Sequence, residues 1–344
     1  MDKFISIRNK SDTISFSLSK KTCMIAAILF CLSLFTFILH LAVGVDFIHP
    51  SVIITYLMGV PAPEYEFVLH TLRMPRAVLA FLVGAALAVS GLILQGVVQN
   101  PLASPDIVGI TGGASVGAVT FIVFFSGSLS MKLLPLAALL GAGVISILMY
   151  ILSWKKGVIP IRFILIGIGI SAAMKALITM MIVLNDTVLV SKAYLWLTGS
   201  LYAATWEEVF TILPWVIILI PVTMLFSRTV NVNELGDDIA LGLGVRVQLY
   251  RMVLIFISVA LAGVAVATAG GISFVGLIAP HIARMIAGRS FAGLILISAM
   301  IGGIIVIMAD IVARIAFQPL DIPAGVFTAG IGAPFFIYLL YKNV

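Results

Sequence analysis

Arg73 and Arg76 flank Met74-Pro75, and Arg314 follows Asp310 by one helical turn. A guanidinium group is a planar fork of donors that grips carboxylates bidentately. Three such groups at one membrane edge would suit capture of acidic side chains on a partner protein. Blander roles are open to each. Arg314 at i+4 could simply neutralise Asp310, and Arg73 and Arg76 could snorkel toward lipid headgroups. A second candidate is the polar stretch Asn233–Arg246, which contains Glu234, Leu235, Gly236, Asp237, Gly242 and Gly244. Its length suits a short helix, a glycine turn and a second short helix. It reads either as an ordinary connecting loop or as a docking helix pair that receives force from a cytoplasmic partner.

Two proline-broken sites, Asn100-Pro101-Leu102 and Ile159-Pro160-Ile161, fall at predicted inner ends of spans. Irregular backbone at membrane depth is tolerated where it lines a cavity, so a gate competes there with a simple proline turn. Lys175 interrupts an apolar run and must snorkel or face a wet interface. His281 after Pro280 reads as a packed or interfacial histidine. Cys23 and Cys31 have no nearby ligand set and read as small apolar residues.

Several kinds of chemistry are missing. There is no Gly-x4-Gly-Lys-Ser/Thr loop to cradle nucleotide phosphates, no His-Glu-x2-His zinc helix and no Gly-x-Ser-x-Gly nucleophile elbow. The chain reads as a non-enzyme with no catalytic residues, no bound metal and no cofactor of its own. ATP-driven work would need an ATPase on another chain.

The elements that must position these residues follow from composition. Of 344 residues, 62% are hydrophobic and 10% charged, with a mean hydropathy of +1.24. Soluble domains average about 25% charged residues. The charges are separated by long apolar runs, and a bilayer core needs about 20 apolar residues per helix. Strand-like alternation is absent, so the fold class is an all-α polytopic membrane protein rather than a β-barrel.

Charges and breakers place about ten spans of roughly 20 residues, at 22–43, 77–97, 108–128, 133–154, 163–185, 209–227, 252–269, 273–287, 290–313 and 322–341. The aromatic-rich stretch 187–208 reads as an interfacial surface helix. Residues 1–21 read as a cytoplasmic tail and 22–344 as one transmembrane domain. Lys20 and Lys21 precede an apolar run too long for a signal peptide. Of 20 basic residues, only Arg73, Arg76, Lys132, Lys175, Lys192 and Arg314 fall off the inner side when both termini are inside, which fits the positive-inside rule. The net charge of +6 is therefore lipid topology rather than nucleic-acid binding. Arg76-Ala-Val-Leu-Ala-Phe81 and Arg251-Met-Val-Leu-Ile-Phe256 open spans that each run into a broken segment. An inverted repeat and chance similarity both remain open on that evidence.

Taken together, these blocks resemble a known family. They are Arg73-Met-Pro-Arg76, Gly84-Ala-Ala-Leu-Ala-Val-Ser-Gly91, Gln95, Asn100-Pro-Leu-Ala-Ser-Pro-Asp-Ile-Val-Gly109, Gly270 through His281 with Arg284, Ala309-Asp-Ile-Val-Ala-Arg314, and Pro323-Ala-Gly325 with Gly332-Ala-Pro334. The chain is similar, over nearly all of its length after residue 65, to FecCD-type permease subunits of ABC importers for ferric siderophores, haem and cobalamin. The resemblance implies a ten-span permease of the bacterial cytoplasmic membrane that pairs with a second, identical or homologous, permease. It implies two cytoplasmic ATPases, which use ATP and magnesium, and an extracytoplasmic substrate-binding protein. On this resemblance Arg73, Arg76 and Arg314 match the arginines that receive the binding protein. The segment 234–250 matches the coupling helices, and Asn100 and Leu102 match an inner gate. Pro160 and Ile161 match that gate more loosely, because the family pattern there is often small and polar. Siderophore is the expected cargo, with haem or cobalamin as alternatives. A self-contained ion-coupled transporter is the rival of a different class.

Overall fold

The computed structural model describes residues 4–8, 15–154, 159–185, 187–288, 290–317 and 321–343. Lys3, Lys10, Lys155, Lys156 and Arg289, assigned above to the inner side, lie outside the described residues. A short antiparallel hairpin, β1 (Phe4–Arg8) with β2 (Ser15–Ser19), comes first, where the sequence suggested only a tail. The described elements after it are helices: α1 (Lys20–Ala42), α2 (Pro50–Leu57), α3 (Met74–Val98), α4 (Ile110–Phe125), α5 (Leu134–Ser153), α6 (Pro160–Val183), α7 (Thr187–Leu197) and α8 (Trp206–Leu225). The second half continues with α9 (Ser227–Asn233), α10 (Asp237–Gly242), α11 (Val247–Ala269), α12 (Val275–Ala287), α13 (Phe291–Ile315) and α14 (Ala324–Asn343).

Among the described residues, seven helices are long and apolar enough to cross a bilayer. The other three expected spans correspond to the shorter apolar helices α4, α12 and α14, and the expected surface helix is α7. Local chemistry sets the boundaries. The Ser19 hydroxyl accepts the N–H of Thr22 at 3.1 Å and caps α1. Thr205 and Glu208 form a reciprocal capping box at the start of α8. Helix α3 stops at Gln99, which adopts a left-handed conformation (φ 52°). The segment before α3, which reads simply as polar in sequence, folds into α2 and a π-helical run, Phe67–Arg73, that continues directly into α3.

Burial separates two kinds of span that hydropathy cannot distinguish. The central windows of Phe67–Val98 and Val247–Ala269 are 89% and 78% buried inside the chain, whereas those of α1 and α6 are 17% buried. Helices α3, α11 and α13 form the core with α12 packed against it, and α1 and α6 present most of their apolar surface outward. Small residues let the core helices touch. Gly84 of α3 lies against Gly302 and Gly303 of α13, and Gly91 lies against Gly276 of α12. That is the small-residue packing expected where lipid leaves no hydrophobic drive between helices.

The packing has the pattern an inverted repeat would give. Pairing α3, α4, α5 and α6 with α11, α12, α13 and α14 maps α3–α13 onto α11–α5, α4–α5 onto α12–α13, and α3–α12 onto α11–α4; all of these pairs are packed. Helices α3 and α11 run antiparallel. The C-terminal end of α3 meets α9 through Gln99 and Asn233, close before α11 begins. The two helices are joined at Ser90 and Ser258, whose hydroxyls lie 2.7 Å apart. The short Arg-x-Val-Leu-x-Phe match thus falls at the starts of two antiparallel core helices, as an inverted repeat would place it.

Candidate functional site

At the end of the molecule holding the C-termini of α1 and α13 and the N-terminus of α3, a buried charge cluster forms. Arg76 Nε donates to Asp310 Oδ2 at 2.8 Å and its Nη2 to Asp310 Oδ1 at 2.9 Å. The same guanidinium reaches Asp321 at 2.8 and 3.0 Å. His40 Nε2 lies 2.8 Å from Asp310 Oδ2, and both side chains are fully buried. Arg73 donates to the carbonyls of Leu41 (2.6 Å), Ala42 (3.1 Å) and Asp46 (2.6 Å), so it ties the loop after α1 to the entry of α3. The guanidinium lies against Gly44, where a Cβ would stand 2.6 Å from Nη2. Arg314 Nη2 donates to the carbonyl of His40 at 2.9 Å.

This geometry corrects the picture of three outward cations. Arg73 and Arg76 are buried and bonded to their own chain, and Arg314 is half-buried. The i+4 pairing of Arg314 with Asp310 is also not the contact made, because Asp310 is held by Arg76 and His40. Desolvation dictates the pattern, since a guanidinium or carboxylate removed from water needs charged or carbonyl partners. Among the described residues the cluster is not fully closed: His40 Nδ1 and Arg314 Nε have no hydrogen-bond partner.

At the opposite, basic end lies the segment singled out from sequence. It forms α9, a turn at Glu234, Leu235 and Gly236 (φ 111°), then α10 from Asp237 to Gly242, and a left-handed Gly244 (φ 80°) before α11. The helix–turn–helix expectation matches this shape. Leu235, Ile239, Leu241 and Leu243 are exposed, whereas Val230, Asn233 and Ala240 are buried against the rest of the chain. The segment is fastened to the core. Gln99 Nε2 donates to the Asn233 carbonyl at 2.6 Å, the Phe291 N–H to Asn231 Oδ1 at 3.1 Å, and Arg251 to Asp237 at 3.0 and 3.1 Å. Arg284 donates to Gln95 beside it.

Between these ends the two broken segments meet around a cavity of about 840 Å³. Its walls include Ser104, Asp106, Thr111, Ser171, Lys175 and Phe274. The Asp106 carboxylate accepts the N–H of Phe274 at 3.3 Å and bonds the Thr111 hydroxyl. The acid of one break thereby caps the helix that follows the other, favourably placed at a helix N-terminus. The expected gate residues lie elsewhere. Asn100 Oδ1 accepts the Leu102 N–H at 2.8 Å in a local turn, Pro160 begins α6, and Ile161 is exposed. Asn100, Leu102 and Ile161 are not among the residues that line the cavity.

Sequence reasoning missed His40, Asp321, Gln99 and Asp106. The first two could have been suspected from their positions at the same predicted membrane end as Arg76 and Asp310. Asp106 sits inside a quoted motif and carried its signal as a carboxylate at membrane depth.

A bundle of long apolar helices around a cavity between two broken segments, with a short helix–turn–helix at one end, is the architecture of a membrane transport protein. Known proteins agree. The FecCD transport family matches residues 31–342. The chain is 46% identical over 303 residues to the achromobactin transport system permease protein CbrC of Dickeya dadantii, covering 88% of this chain and 87% of that one. It is 42% identical over 330 residues to the iron(3+)-hydroxamate import system permease protein FhuG of Bacillus subtilis, covering 94% and 98%. Among solved structures, a metal-chelate type ABC transporter in an inward-facing conformation superposes with a TM-score of 0.83 at 31% identity, covering 93% and 99%. The chain belongs to the FecCD transport family.

Proposed function

We propose that this chain is the membrane-spanning permease subunit of an ATP-driven importer for iron(III)-siderophore complexes in a bacterial cytoplasmic membrane. The observation that carries the reading is the pair of broken segments meeting at one cavity, connected through α3 to the exposed apolar segment α9–α10. Relatives named for achromobactin, iron(3+)-hydroxamate and Fe(3+)-citrate transport support the cargo class. A second permease completes the path, two cytoplasmic ATPases seat under Glu234, Leu235, Gly236, Asp237, Gly242 and Gly244, and an extracytoplasmic binding protein delivers the cargo. That protein docks over the Arg73–Arg76–Arg314 end, with half-buried Arg314 at the contact and the buried pair framing it. Asn100, Leu102, Pro160 and Ile161 border the inner exit.

In this reading ATP binding draws the ATPases together, α9 and α10 move with them, and Gln99 passes the displacement to the end of α3. The core helices then rock against the partner permease and expose the cavity to the other side. Asp106 is the residue a self-contained ion-coupled transporter would use. Its bonds to Phe274 and Thr111 give it a structural role instead. The test is whether uptake of radiolabelled ferric siderophore through the assembled transporter needs ATP hydrolysis by the partner chain. Uptake that continues with a hydrolysis-deficient ATPase overturns the proposal.

A further inference from the structure

Lys175 has no role in the account so far. It lies in the body of the 24-residue helix α6, where a charged side chain is costly unless it faces a wet or polar space. It lines the 840 Å³ cavity and is exposed there, and its interaction with Asp106 is electrostatic attraction rather than a hydrogen bond. A lysine near a helix end can snorkel to the headgroups, but this one stands beside Ser171 and Thr179 on the cavity wall. The carboxylate in that wall, Asp106, is bonded to the backbone of Phe274 and to Thr111, and it attracts Lys175 through space without a direct ion pair. The cavity therefore carries an exposed ammonium group whose nearest compensating charge, Asp106, is bonded elsewhere and makes no direct ion pair with it.

We propose that Lys175 forms an anion-attracting subsite on the translocation path, so that the cargo is an iron chelate of net negative charge, with carboxylate or catecholate oxygens at its periphery. The proposal rests on the importer reading and names its substrate class. An ammonium is a compact point charge on a flexible stem. It can follow a bulky complex through a cavity of ligand-binding size without gripping it in one geometry. A neutral chelate gains nothing from such a group, and a cationic one is repelled by it.

The experiment uses cells expressing the complete transporter with its binding protein, supplied separately with ferric dicitrate, ferric enterobactin, ferrichrome and ferrioxamine B. The wild type should take up an anionic chelate, one of the first two. Lys175→Glu should reduce that uptake about tenfold or more, because like charges brought together are strongly disfavoured. Lys175→Gln should fall between, and Lys175→Arg should restore uptake to within about twofold, since the charge is kept. Copurification of the ATPase with each variant separates loss of the subsite from loss of assembly. If Lys175→Glu fails to assemble, the Gln-to-Arg difference carries the same test. Uptake of only ferrichrome or ferrioxamine B, or equal uptake by the assembled Gln and Arg variants, overturns the subsite while leaving the importer reading intact. The importer reading is tested separately, by whether uptake needs ATP hydrolysis on the partner chain.

Discussion

Removing Arg76 should damage the chain more than removing either of its partners, and the reason lies in who is left behind. Asp310 is fully buried, whereas Asp321 keeps 23% of its side chain exposed. Arg76→Ala strands the Asp310 carboxylate with His40 as its remaining side-chain partner. Breaking a buried pair from one side costs about 3–5 kcal/mol, and Arg76→Ala belongs near the upper value. Asp310→Ala leaves Arg76 still bonded to Asp321 at 2.8 and 3.0 Å, so its cost should fall near the lower value, about 3 kcal/mol. Asp321→Ala removes only the wetter half of the bridge, worth about 1 kcal/mol or less. The double variant Arg76→Ala/Asp310→Ala leaves no stranded charge between the two positions. It should lose less than the sum of the singles, by about 2–3 kcal/mol, within the range of coupling seen for residues in one network. Denaturant unfolding of the purified chain in detergent, followed by helical circular dichroism, measures each value. Additive losses, or an Asp321→Ala effect equal to that of Arg76→Ala, would refute the burial argument.

Gly84→Ala places a Cβ 2.8 Å from the Gly303 Cα and closer still to the Gly302 carbonyl, so α3 and α13 must part; overpacking of this kind costs about 1–3 kcal/mol. Gly143→Ala in α5 meets nothing within 4 Å and should be neutral or gain about 0.5–1 kcal/mol in the same unfolding assay. Gln99→Leu and Asp237→Trp disturb the attachment and the face of the docking segment. Each should leave the permease stably inserted, allow the assembled complex to hydrolyse ATP, and lower chelate uptake per ATP hydrolysed. An unchanged ratio of uptake to hydrolysis would remove that segment from the coupling route.

The span pattern was legible because long apolar runs bounded by charges leave a membrane chain few choices. The pair of short helices α9 and α10 was legible because glycines and acids interrupt that pattern. Two things were not. Hydropathy reads α3 and α6 alike, yet one is enclosed by other helices and the other faces outward; only packing through Gly84 and Gly91 separates them. The charge cluster joins His40, Arg76, Asp310 and Asp321, residues far apart in the chain and related only when α1, α3 and α13 come together. Sequence spacing offered a local Arg314–Asp310 pair beside outward capture, and Asp310 is instead held by Arg76 and His40.

The central claim is that the driving force belongs to a partner chain. Its most direct measurement is chelate uptake into proteoliposomes containing this chain, its partner permease and the ATPase pair, with ATP on the ATPase side and the loaded binding protein on the other. The account predicts accumulation against a gradient only when all parts and hydrolysable ATP are present. Accumulation by this chain alone, driven by an ion gradient without ATP, would contradict it.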